Sequence, residues 1–401
     1  MNIILFDDPI LRTNFLPLTF TRPISEIRIG ILKISEKWSK RLQTNIFYLT
    51  ESYLQNKYPD TDTDDDHLYI NGALLPNELL IHAIMTLKTG EVLVHGGKYL
   101  AFKASGRYKN NKLLTNVMEK MKQIPFEGEA DMINYPWEIF QKNRNQIIAD
   151  FQIVTAGRKS EKISDKYTKV YGKQHIFIEE GANIKASVLN AEEGVIYIGK
   201  NAVIQEGSLI RGAFALCEGA TLNMGAKIKG DTTIGPFCKV GGEVSNSILF
   251  GYSNKGHEGF IGNTVIGEWC NLGADTNTSN LKNNYSSIKV WNYAQEKYID
   301  SHLQFCGLLM GDHSKCSINT MFNTGTVVGV GANIFDYGFP PKFVPDFSWG
   351  GNQSFVEADF DKTCEIAERM MARRHITLNK EDKAILKKVF EDTSYYRTQN
   401  K

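Results

Sequence analysis

Apolar residues recur at every sixth position through much of the second half of the chain. The period runs unbroken from Ile198 to Val240, returns at Ile266 and Leu272, and returns again from Met310 to Ile334. A small residue stands two places before nearly every one of these positions, and Phe214 is the exception. Neither a helix nor an ordinary strand has a period of six. The pattern therefore predicts a hexapeptide β-helix, in which three short faces make one coil.

One coil of this kind cannot bury its own interior, so the coils must stack and share a continuous apolar core. The six-residue register fails between Val240 and Ile266. We interpret this break as loops that leave one edge of the solenoid. Loops placed by a rigid scaffold often carry function, so residues 243–262 are the first place to search for chemistry.

The remaining chain divides by pattern into three further parts. Residues 1–135 alternate short apolar strands, among them Asn2–Phe6 and Ile46–Leu49, with helical spacing, which predicts an α/β domain. Residues 136–174 form a connector that starts with a helix, the β-helix occupies 175–345, and 346–401 form a helical tail. Within the β-helix, residues 285–305 alternate as a β-hairpin does. Of the 34 glycines, 26 lie at or beyond Gly172, which supports a boundary there.

Composition excludes several classes of function. A net charge of +1 on 401 residues gives no electrostatic case for nucleic acid or an anionic membrane as partner. There is no long apolar run, and the first residues lead us to expect no signal peptide. The six cysteines are scattered, which predicts a cytoplasmic protein with reduced thiols. Five aspartates between Asp60 and Asp66 are interpreted as a solvated loop, so no metal site is predicted.

A motif near the amino terminus resembles the opening of the sugar-1-phosphate nucleotidylyltransferases. It consists of Leu16-Pro17-Leu18-Thr19, then Arg22-Pro23, then Gly30. The resemblance implies nucleotide binding by Arg12, at the family's arginine, and by Arg28 in place of its lysine. It also implies UTP or dTTP as substrate, with Mg²⁺ only if nucleotidyl transfer survives.

The same segment departs from the family where phosphate is bound. Asp7-Asp8-Pro9 stands where a glycine-rich loop belongs, so two carboxylates would repel phosphate and one N–H donor is missing. Asn71 stands where the family has a magnesium-binding aspartate. We therefore interpret residues 1–135 as a truncated nucleotidylyltransferase-like domain.

A second frame lies across the break in the six-residue register. His257 is followed by Ile261-Gly262, by Asn271-Leu272-Gly273-Ala274 and by Asn280. This frame resembles the acetyltransferase half of the bifunctional N-acetylglucosamine-1-phosphate uridylyltransferase/glucosamine-1-phosphate acetyltransferases and their archaeal relatives. The resemblance implies a left-handed β-helix, a homotrimer with active sites between neighbours, and acetyl-CoA or another acyl-CoA as co-substrate.

The resemblance also implies a role for each matching residue. His257 matches the general base, a task that suits histidine because its ordinary pKa lies near neutrality. Asn271 matches a residue that holds the sugar, the backbone of Ala274 faces the thioester carbonyl, and Ser317 lies near the thioester arm. The further positions implied to bind the acceptor substrate are Lys227, Lys229, Glu243, Lys255, Asn280 and Lys282.

Three departures leave alternatives open. A family lysine reads Ser245, a tyrosine reads Phe260, and the phosphate-binding arginine becomes Lys229 or Lys227. The first hypothesis is acyl transfer from coenzyme A to an amino-sugar phosphate or a nucleotide sugar. The second is sugar-1-phosphate nucleotidyl transfer. The third is a non-catalytic trimeric scaffold or regulator of sugar-nucleotide synthesis.

Overall fold

The computed structural model describes residues 1–398; positions 399–401 of the predicted helical tail lie outside the described residues. The chain forms two compact units. The first contains residues 1–15, 19–27 and 32–135, and the second contains 16–18, 28–31 and everything described from residue 136 onward.

The first unit is built on one six-stranded sheet in the order β2-β1-β3-β5-β4-β6. Strands β1, β2 and β3 are parallel, and β5 runs antiparallel to both β3 and β4. The predicted strands β1 and β2 are confirmed, whereas β4 to β6 were not predicted. The strands are β1 (Asn2–Phe6), β2 (Ile46–Leu49), β3 (Asp66–Asn71), β4 (Glu91–His95), β5 (Lys98–Ser105) and β6 (Lys122–Pro125); the helices are α1 (Pro9–Asn14), α2 (Ile34–Leu42), α3 (Glu78–Met85) and α4 (Leu114–Met118).

The second unit begins with helix α5 (Glu138–Thr155), which packs with residues 28–31 and the solenoid. Asn143 accepts a hydrogen bond from the Gly30 N–H at 2.7 Å, and Asp150 accepts one from the Ile31 N–H at 2.9 Å. Gly30 has φ +78°, and a Cβ there would lie 2.5 Å from a carboxylate oxygen of Asp150. Only glycine fits at this close approach.

The solenoid has three faces, and each is a sheet of parallel strands contributed by successive coils. Face 1 consists of β7 (Lys169–Tyr171), β10 (Val188–Asn190), β13 (Leu209–Arg211), β16 (Lys227–Lys229), β19 (Glu243–Ser245) and β22 (Phe260–Gly262). Face 2 consists of β8 (Ile176–Ile178), β11 (Ile196–Ile198), β14 (Phe214–Leu216), β17 (Thr232–Ile234), β20 (Ile248–Gly251), β23 (Val265–Glu268), β28 (Leu309–Met310), β31 (Val327–Val328) and β33 (Phe343–Val344). Face 3 consists of β9 (Asn183–Ile184), β12 (Val203–Ile204), β15 (Thr221–Leu222), β18 (Lys239–Val240), β21 (Asn254–Lys255), β24 (Asn271–Leu272), β29 (Lys315–Cys316), β32 (Asn333–Ile334) and β34 (Ser348–Gly350), with β35 (Phe355–Glu357) antiparallel at its end.

The fold class predicted from the sequence is confirmed: an α/β domain, a parallel β-helix of hexapeptide coils, and C-terminal helices. All fifteen apolar positions of the six-residue register belong to one buried core. Phe214, the misfit in the small-residue column, is itself fully buried in that core. The left-handed winding of the β-helix remains a prediction that follows from the family resemblance.

The predicted loop excursion between Val240 and Ile266 is wrong. The chain stays in the three faces there, and only the length of the coil changes. Ile196 pairs with Phe214, eighteen residues on, but Lys239 pairs with Asn254, fifteen residues on, and Asn254 pairs with Asn271, seventeen residues on. Because these coils have fewer than eighteen residues, the apolar positions no longer fall at every sixth residue, although the coils still stack.

The predicted hairpin is confirmed as β26 (Lys289–Asn292) and β27 (Lys297–Asp300), which pair antiparallel. The short strands β25 (Asn277–Thr278) and β30 (Met321–Phe322) pair with each other in parallel. Three helices follow the solenoid: α6 (Phe360–Ala372), α7 (Lys380–Asp392) and α8 (Ser394–Thr398). Among residues 1–398, no helix combines the length and the apolar character needed to cross a bilayer.

Buried Asp346 makes the stability of the second unit depend on pH. It accepts hydrogen bonds from Tyr293 Oη at 2.8 Å and from the Val330 N–H at 2.6 Å. Burial nevertheless raises the pKa of Asp346 to about 6. Because the folded state then holds this proton more tightly than the unfolded state, the resulting stabilisation is complete below the ordinary pKa of about 4 and is lost as pH rises through about 6.

We therefore expect Asp346→Asn to gain stability over the parent as pH rises. The difference in melting temperature, variant minus parent, should be several degrees more positive at pH 7.5 than at pH 4.5. Thermal unfolding at the two pH values measures it. A difference that stays constant with pH would show that this carboxyl does not titrate differently in the folded state.

Candidate functional site

A cavity of about 620 Å³ lies on the outer side of face 3. Outward-facing residues of consecutive face-3 strands line it, and helix α6 supplies another part of the wall. These lining residues are Lys239, Asn254, Asn271 and Lys315 from the strands, Arg369 and Met370 from the helix, and Arg373 and Arg374 from the turn directly after it. We call this space the face-3 cavity. Its volume is within the range of small-molecule sites.

His257 lies at the corner where the chain turns from β21 of face 3 to β22 of face 1. Its side chain is exposed and lines the face-3 cavity. Two side chains hold the backbone of this corner. Asn223 Nδ2 donates to the carbonyl of Gly256 at 2.7 Å, and Lys255 Nζ donates to the carbonyl of His257 at 2.6 Å.

Lys255 lies inside the solenoid, not on a surface where a substrate could reach it. The register pairs it with Val240, so it occupies an interior position of face 3, and it is 1% exposed. Burial lowers the pKa of the Lys255 ammonium to about 8, although the nearby carboxylates of Glu258 and Asp275 oppose that shift. The predicted direct contact of Lys255 with the acceptor does not fit this location.

Asn271 and Ala274 line the face-3 cavity together with His257. The Asn271 Oδ1 atom accepts a long hydrogen bond of 3.4 Å from Asn254. The Ala274 carbonyl accepts from the Asn319 N–H at 2.8 Å. Within residues 1–398 the Ala274 N–H donates to no protein acceptor. A free N–H in a cavity wall is suited to bind a carbonyl oxygen.

Ser317 stacks on the next coil, directly over Gly273. A Cβ at Gly273 would lie 2.4 Å from the Ser317 backbone, so glycine is what allows the two coils to approach here. The Ser317 hydroxyl contacts Thr320 Oγ1 at 3.4 Å and the Ile318 carbonyl at 3.3 Å. The face-3 cavity includes the adjacent Ile318.

The charge of the face-3 cavity has one sign. Its lining contains five bases, Lys239, Lys315, Arg369, Arg373 and Arg374, and no acidic side chain among the described residues. Burial lowers the pKa of Lys315 to about 8, and its Nζ donates to the His313 carbonyl at 2.8 Å. Such a wall is suited to a ligand with several negative charges.

A column of stacked rings borders the same cavity. Phe237, Tyr252, Trp269 and His313 sit one above another at the corner between faces 2 and 3. The ring centroids of Tyr252 and Trp269 are 4.3 Å apart, with planes 10° from parallel. Tyr252 and Trp269 line the cavity. Flat aromatic surfaces next to bases are a common setting for a nucleotide.

Three of the predicted acceptor residues lie elsewhere, in a groove of about 670 Å³ on face 1. Lys227, Lys229 and Glu243 line it, together with Arg144 and Arg211. Lys229 Nζ lies 2.7 Å from a carboxylate oxygen of Glu243. Lys227 Nζ lies 3.3 Å from a carboxylate oxygen of Glu258, the residue after His257. The His257 corner therefore separates the face-1 groove from the face-3 cavity.

Asn280 and Lys282 line neither of these two spaces. Asn280 Nδ2 donates to Asn263 Oδ1 at 2.8 Å. Lys282 Nζ donates to the carbonyl of Ser287 at 2.5 Å, at the base of the hairpin. Their contact with the acceptor substrate remains a prediction.

The arginines predicted to bind nucleotide are both buried. In the first unit, the Arg12 guanidinium lies 3.4 Å from Asp7, donates to Tyr53 at 2.8 Å and also bonds the Thr19 carbonyl. In the second unit, Arg28 Nε donates to the Phe250 carbonyl at 3.1 Å, and another nitrogen bonds the Ile31 carbonyl. Backbone and protein side chains thus occupy these groups, so we do not include them in the proposed site.

In the first unit, the residues that depart from the nucleotidylyltransferase sequence pattern have structural roles. Asp8 caps helix α1 by accepting from the N–H groups of Ile10 and Leu11. Asn71 accepts from the Ala73 N–H at 3.0 Å. Within residues 1–398, no three His, Cys, Asp or Glu side chains are grouped so as to hold a metal ion.

Sequence reasoning missed Asn223, Lys239, Lys315 and the rings of the corner column. The ring column was detectable in principle. Phe237, Tyr252 and Trp269 follow each other at fifteen and seventeen residues, which are the lengths of the shortened coils.

Part of the chain matches the model of one described family. Residues 3–159 match the model of a family described as sugar nucleotidyl transferases. This match includes the first unit and helix α5. No curated protein sequence matches the chain.

A search of solved structures finds matches to several acyltransferases. The polySia-specific acetyltransferase NeuO is 14% identical, with 59% of this chain and 97% of that chain covered and a TM-score of 0.25. An Arabidopsis UDP-N-acetylglucosamine acyltransferase is 14% identical, with 59% and 94% covered and a TM-score of 0.24. AntD, an N-acyltransferase from Bacillus cereus solved with dTDP and coenzyme A, is 12% identical, with 51% and 91% covered and a TM-score of 0.23. At these scores the likeness supplies no evidence on activity.

Proposed function

We propose that the chain transfers an acyl group from an acyl-CoA to the amine of an amino-sugar phosphate or a nucleotide sugar, with His257 as general base. One observation supports this most: His257, Asn271 and Ala274 line one cavity, and the charged side chains in its lining are all basic. Coenzyme A carries several phosphate charges, a purine and a long neutral arm. The basic side chains of the cavity match the phosphates, and the stacked rings match the purine. The uncharged part of the lining matches the arm.

The reaction needs few groups from the protein. The acceptor nitrogen attacks the thioester carbonyl carbon, so a C–N bond forms and the C–S bond breaks. The nitrogen must lose a proton, which the His257 imidazole accepts and passes to the departing thiolate. The Ala274 N–H would donate to the oxygen that becomes negative during attack. Asn271, on the outer side of β24, would hold the sugar beside the imidazole.

The face-1 groove is the proposed site of the acceptor phosphate. Its bases are paired with carboxylates, so a phosphate would compete with Glu243 and Glu258 for Lys229 and Lys227. Because His257 lies at the corner between groove and cavity, an acceptor in the groove and a thioester in the cavity would meet there.

The proposal includes a homotrimer. Large apolar side chains are exposed at the same corner in coils on either side of His257: Met224 is 70% exposed and Ile318 is 66% exposed. A neighbouring protomer that covered this seam would bury them and enclose the cavity. Asn280 and Lys282 would then contact the neighbour's sugar.

Lys229→Ala is expected to raise the KM for the sugar phosphate about 3- to 10-fold and to change kcat little, because one exposed charge-assisted contact is lost. Steady-state kinetics with glucosamine 1-phosphate measures this. Lys200→Ala, an exposed lysine outside the groove, is the matched control. An unchanged KM in the Lys229 variant would remove this residue from the acceptor site.

The match of residues 3–159 to the sugar nucleotidyl transferase family favours a second candidate function. The first unit would then transfer a nucleotidyl group from UTP or dTTP to a sugar 1-phosphate with Mg²⁺. Two observations weigh against it. Asp8 caps helix α1 where a phosphate-binding loop would be needed, and Arg12 is buried, so it is not available to bind a phosphate.

The two functions release different products. Wild-type protein is expected to release free thiol from acetyl-CoA only when an amino-sugar phosphate is present, in a panel of acyl-CoAs and acceptors. Pyrophosphate release from UTP or dTTP with a sugar phosphate would support the second function. Silence in both assays from an intact trimer would favour a scaffold or regulator.

A further inference from the structure

A lysine replaces the apolar side chain at one interior position of the solenoid. On face 3 the register carries Ile204 to Leu222, Leu222 to Val240, and Val240 to Lys255. Lys255 is 1% exposed and is among the largest fully buried side chains of the protein. Lysine is almost never fully buried without a partner, because its ammonium must leave water.

The Lys255 ammonium reaches the His257 corner from the inside. Its Nζ lies 2.6 Å from the His257 carbonyl oxygen. Gly242 in the preceding coil leaves the space for this contact. A Cβ there would lie 2.9 Å from Nζ, 2.9 Å from the same carbonyl oxygen and 2.6 Å from the Gly259 carbonyl oxygen. The ammonium and its acceptor thus fill a space that any other residue at position 242 would close.

We propose that Lys255 is a positioning residue, which fixes the backbone of the His257 corner from within the solenoid and so holds the imidazole toward the face-3 cavity. This inference rests on the proposed function of His257 as base. Lys255 itself would touch neither substrate. Asn223 holds the neighbouring Gly256 carbonyl from the cavity side, so the corner has one anchor on each side.

The groups around the ammonium favour its charged form only in part. Glu258, Asp275 and the Cys316 thiol raise the pKa of Lys255, and Lys227 and burial lower it. Because the pKa of Lys255 is lowered to about 8, its charge is lost within the range where enzymes are assayed. The contact with the His257 carbonyl should weaken as pH rises through that value.

Methionine at position 255 separates positioning from packing. Its unbranched side chain fills the interior column without a charge, so the cost of burying an ammonium is removed. A residue kept for packing would lose nothing by this change. A residue kept to hold His257 would lose its hydrogen bond.

Lys315→Met is the matched comparison. Lys315 also sits on face 3 and donates to a backbone carbonyl, that of His313, at 2.8 Å. That carbonyl is at the corner between faces 2 and 3, away from the His257 turn. Lys315 lines the cavity, so its substitution should raise the KM for acyl-CoA and leave the His257 corner ordered.

The experiment combines hydrogen exchange, thermal unfolding and kinetics on the full chain. In Lys255→Met we expect amide exchange in the peptide 255–262 to rise about tenfold or more, with no such rise in Lys315→Met. The melting temperature should be equal to or above the parent's. The kcat should fall about 10- to 100-fold with KM changed less than about threefold, and the parent's loss of activity above about pH 8 should shrink.

Two results would overturn the inference. One is unchanged exchange in residues 255–262. The other is a lower melting temperature with faster exchange throughout the coils, which would show that Lys255 stabilises the whole solenoid and not the His257 corner in particular. If the wild type released no thiol with any acyl-CoA, the proposed function would fail in the kinetic assay, while the exchange measurement would still decide whether Lys255 anchors the corner.

Discussion

His257→Ala should lower kcat/KM for acyl transfer about 10²- to 10⁴-fold, the usual contribution of a positioned general base. The side chain is exposed at the corner between two faces, so its removal leaves the buried core of the solenoid untouched. We therefore expect unchanged thermal unfolding and unchanged binding of coenzyme A. The rate of thiol release, followed as the concentrations of acyl-CoA and acceptor are varied, measures the loss.

His302→Ala is the control for this substitution. His302 is also exposed, with a side chain 89% accessible, and it lies after the hairpin, outside the cavity lining. Its removal should leave turnover within about twofold of the parent, as exposed sites away from chemistry usually do. A His257 variant with full activity would show that another group takes the proton.

The second large effect is expected from reversing a charge at the C-terminal end of helix α6, where Arg373 is the cap residue. Arg373→Glu places a carboxylate in a wall that otherwise carries only bases, next to the proposed phosphates of coenzyme A. Loss of a charge-assisted contact of about 1.5–3 kcal/mol predicts a rise of about 10- to 100-fold in the KM for acyl-CoA. The effect should shrink at high salt, because exposed charges are screened.

Lys380→Glu makes the same change of charge on helix α7, outside the cavity. It should leave the KM for acyl-CoA unchanged at every salt concentration. Equal shifts in both variants would indicate a general effect of net charge. No shift in Arg373→Glu would exclude helix α6 from the proposed coenzyme site.

The sequence predicted the solenoid well because its core repeats in a fixed register. Each apolar position from Ile198 to Ile334 needed only a period to be recognised, and all of them are buried together. The register break was misinterpreted because a coil shortened to fifteen residues and a loop excursion produce the same loss of period. Only strand pairing, such as Lys239 with Asn254, distinguishes the two.

The site was only partly predictable for a related reason. His257, Asn271 and Ala274 could be found because they lie within eighteen residues of each other in a recognisable frame. Arg373 lines the same cavity from a distant part of the chain, directly after helix α6. No local pattern reports which face a C-terminal helix covers. The sequence predicted that Lys255 binds the substrate. Its role depends instead on its position in the core, which residue type alone does not reveal.

The most direct test of the central claim is a structure of the protein with bound coenzyme A and an amino-sugar phosphate. We expect the pantetheine thiol beside the His257 imidazole and the Ala274 N–H, the coenzyme phosphates against Lys239 and Arg373, and the sugar amine between thiol and imidazole. Coenzyme A bound away from the face-3 cavity, or an imidazole out of reach of both ligands, would contradict the proposed acyl transfer.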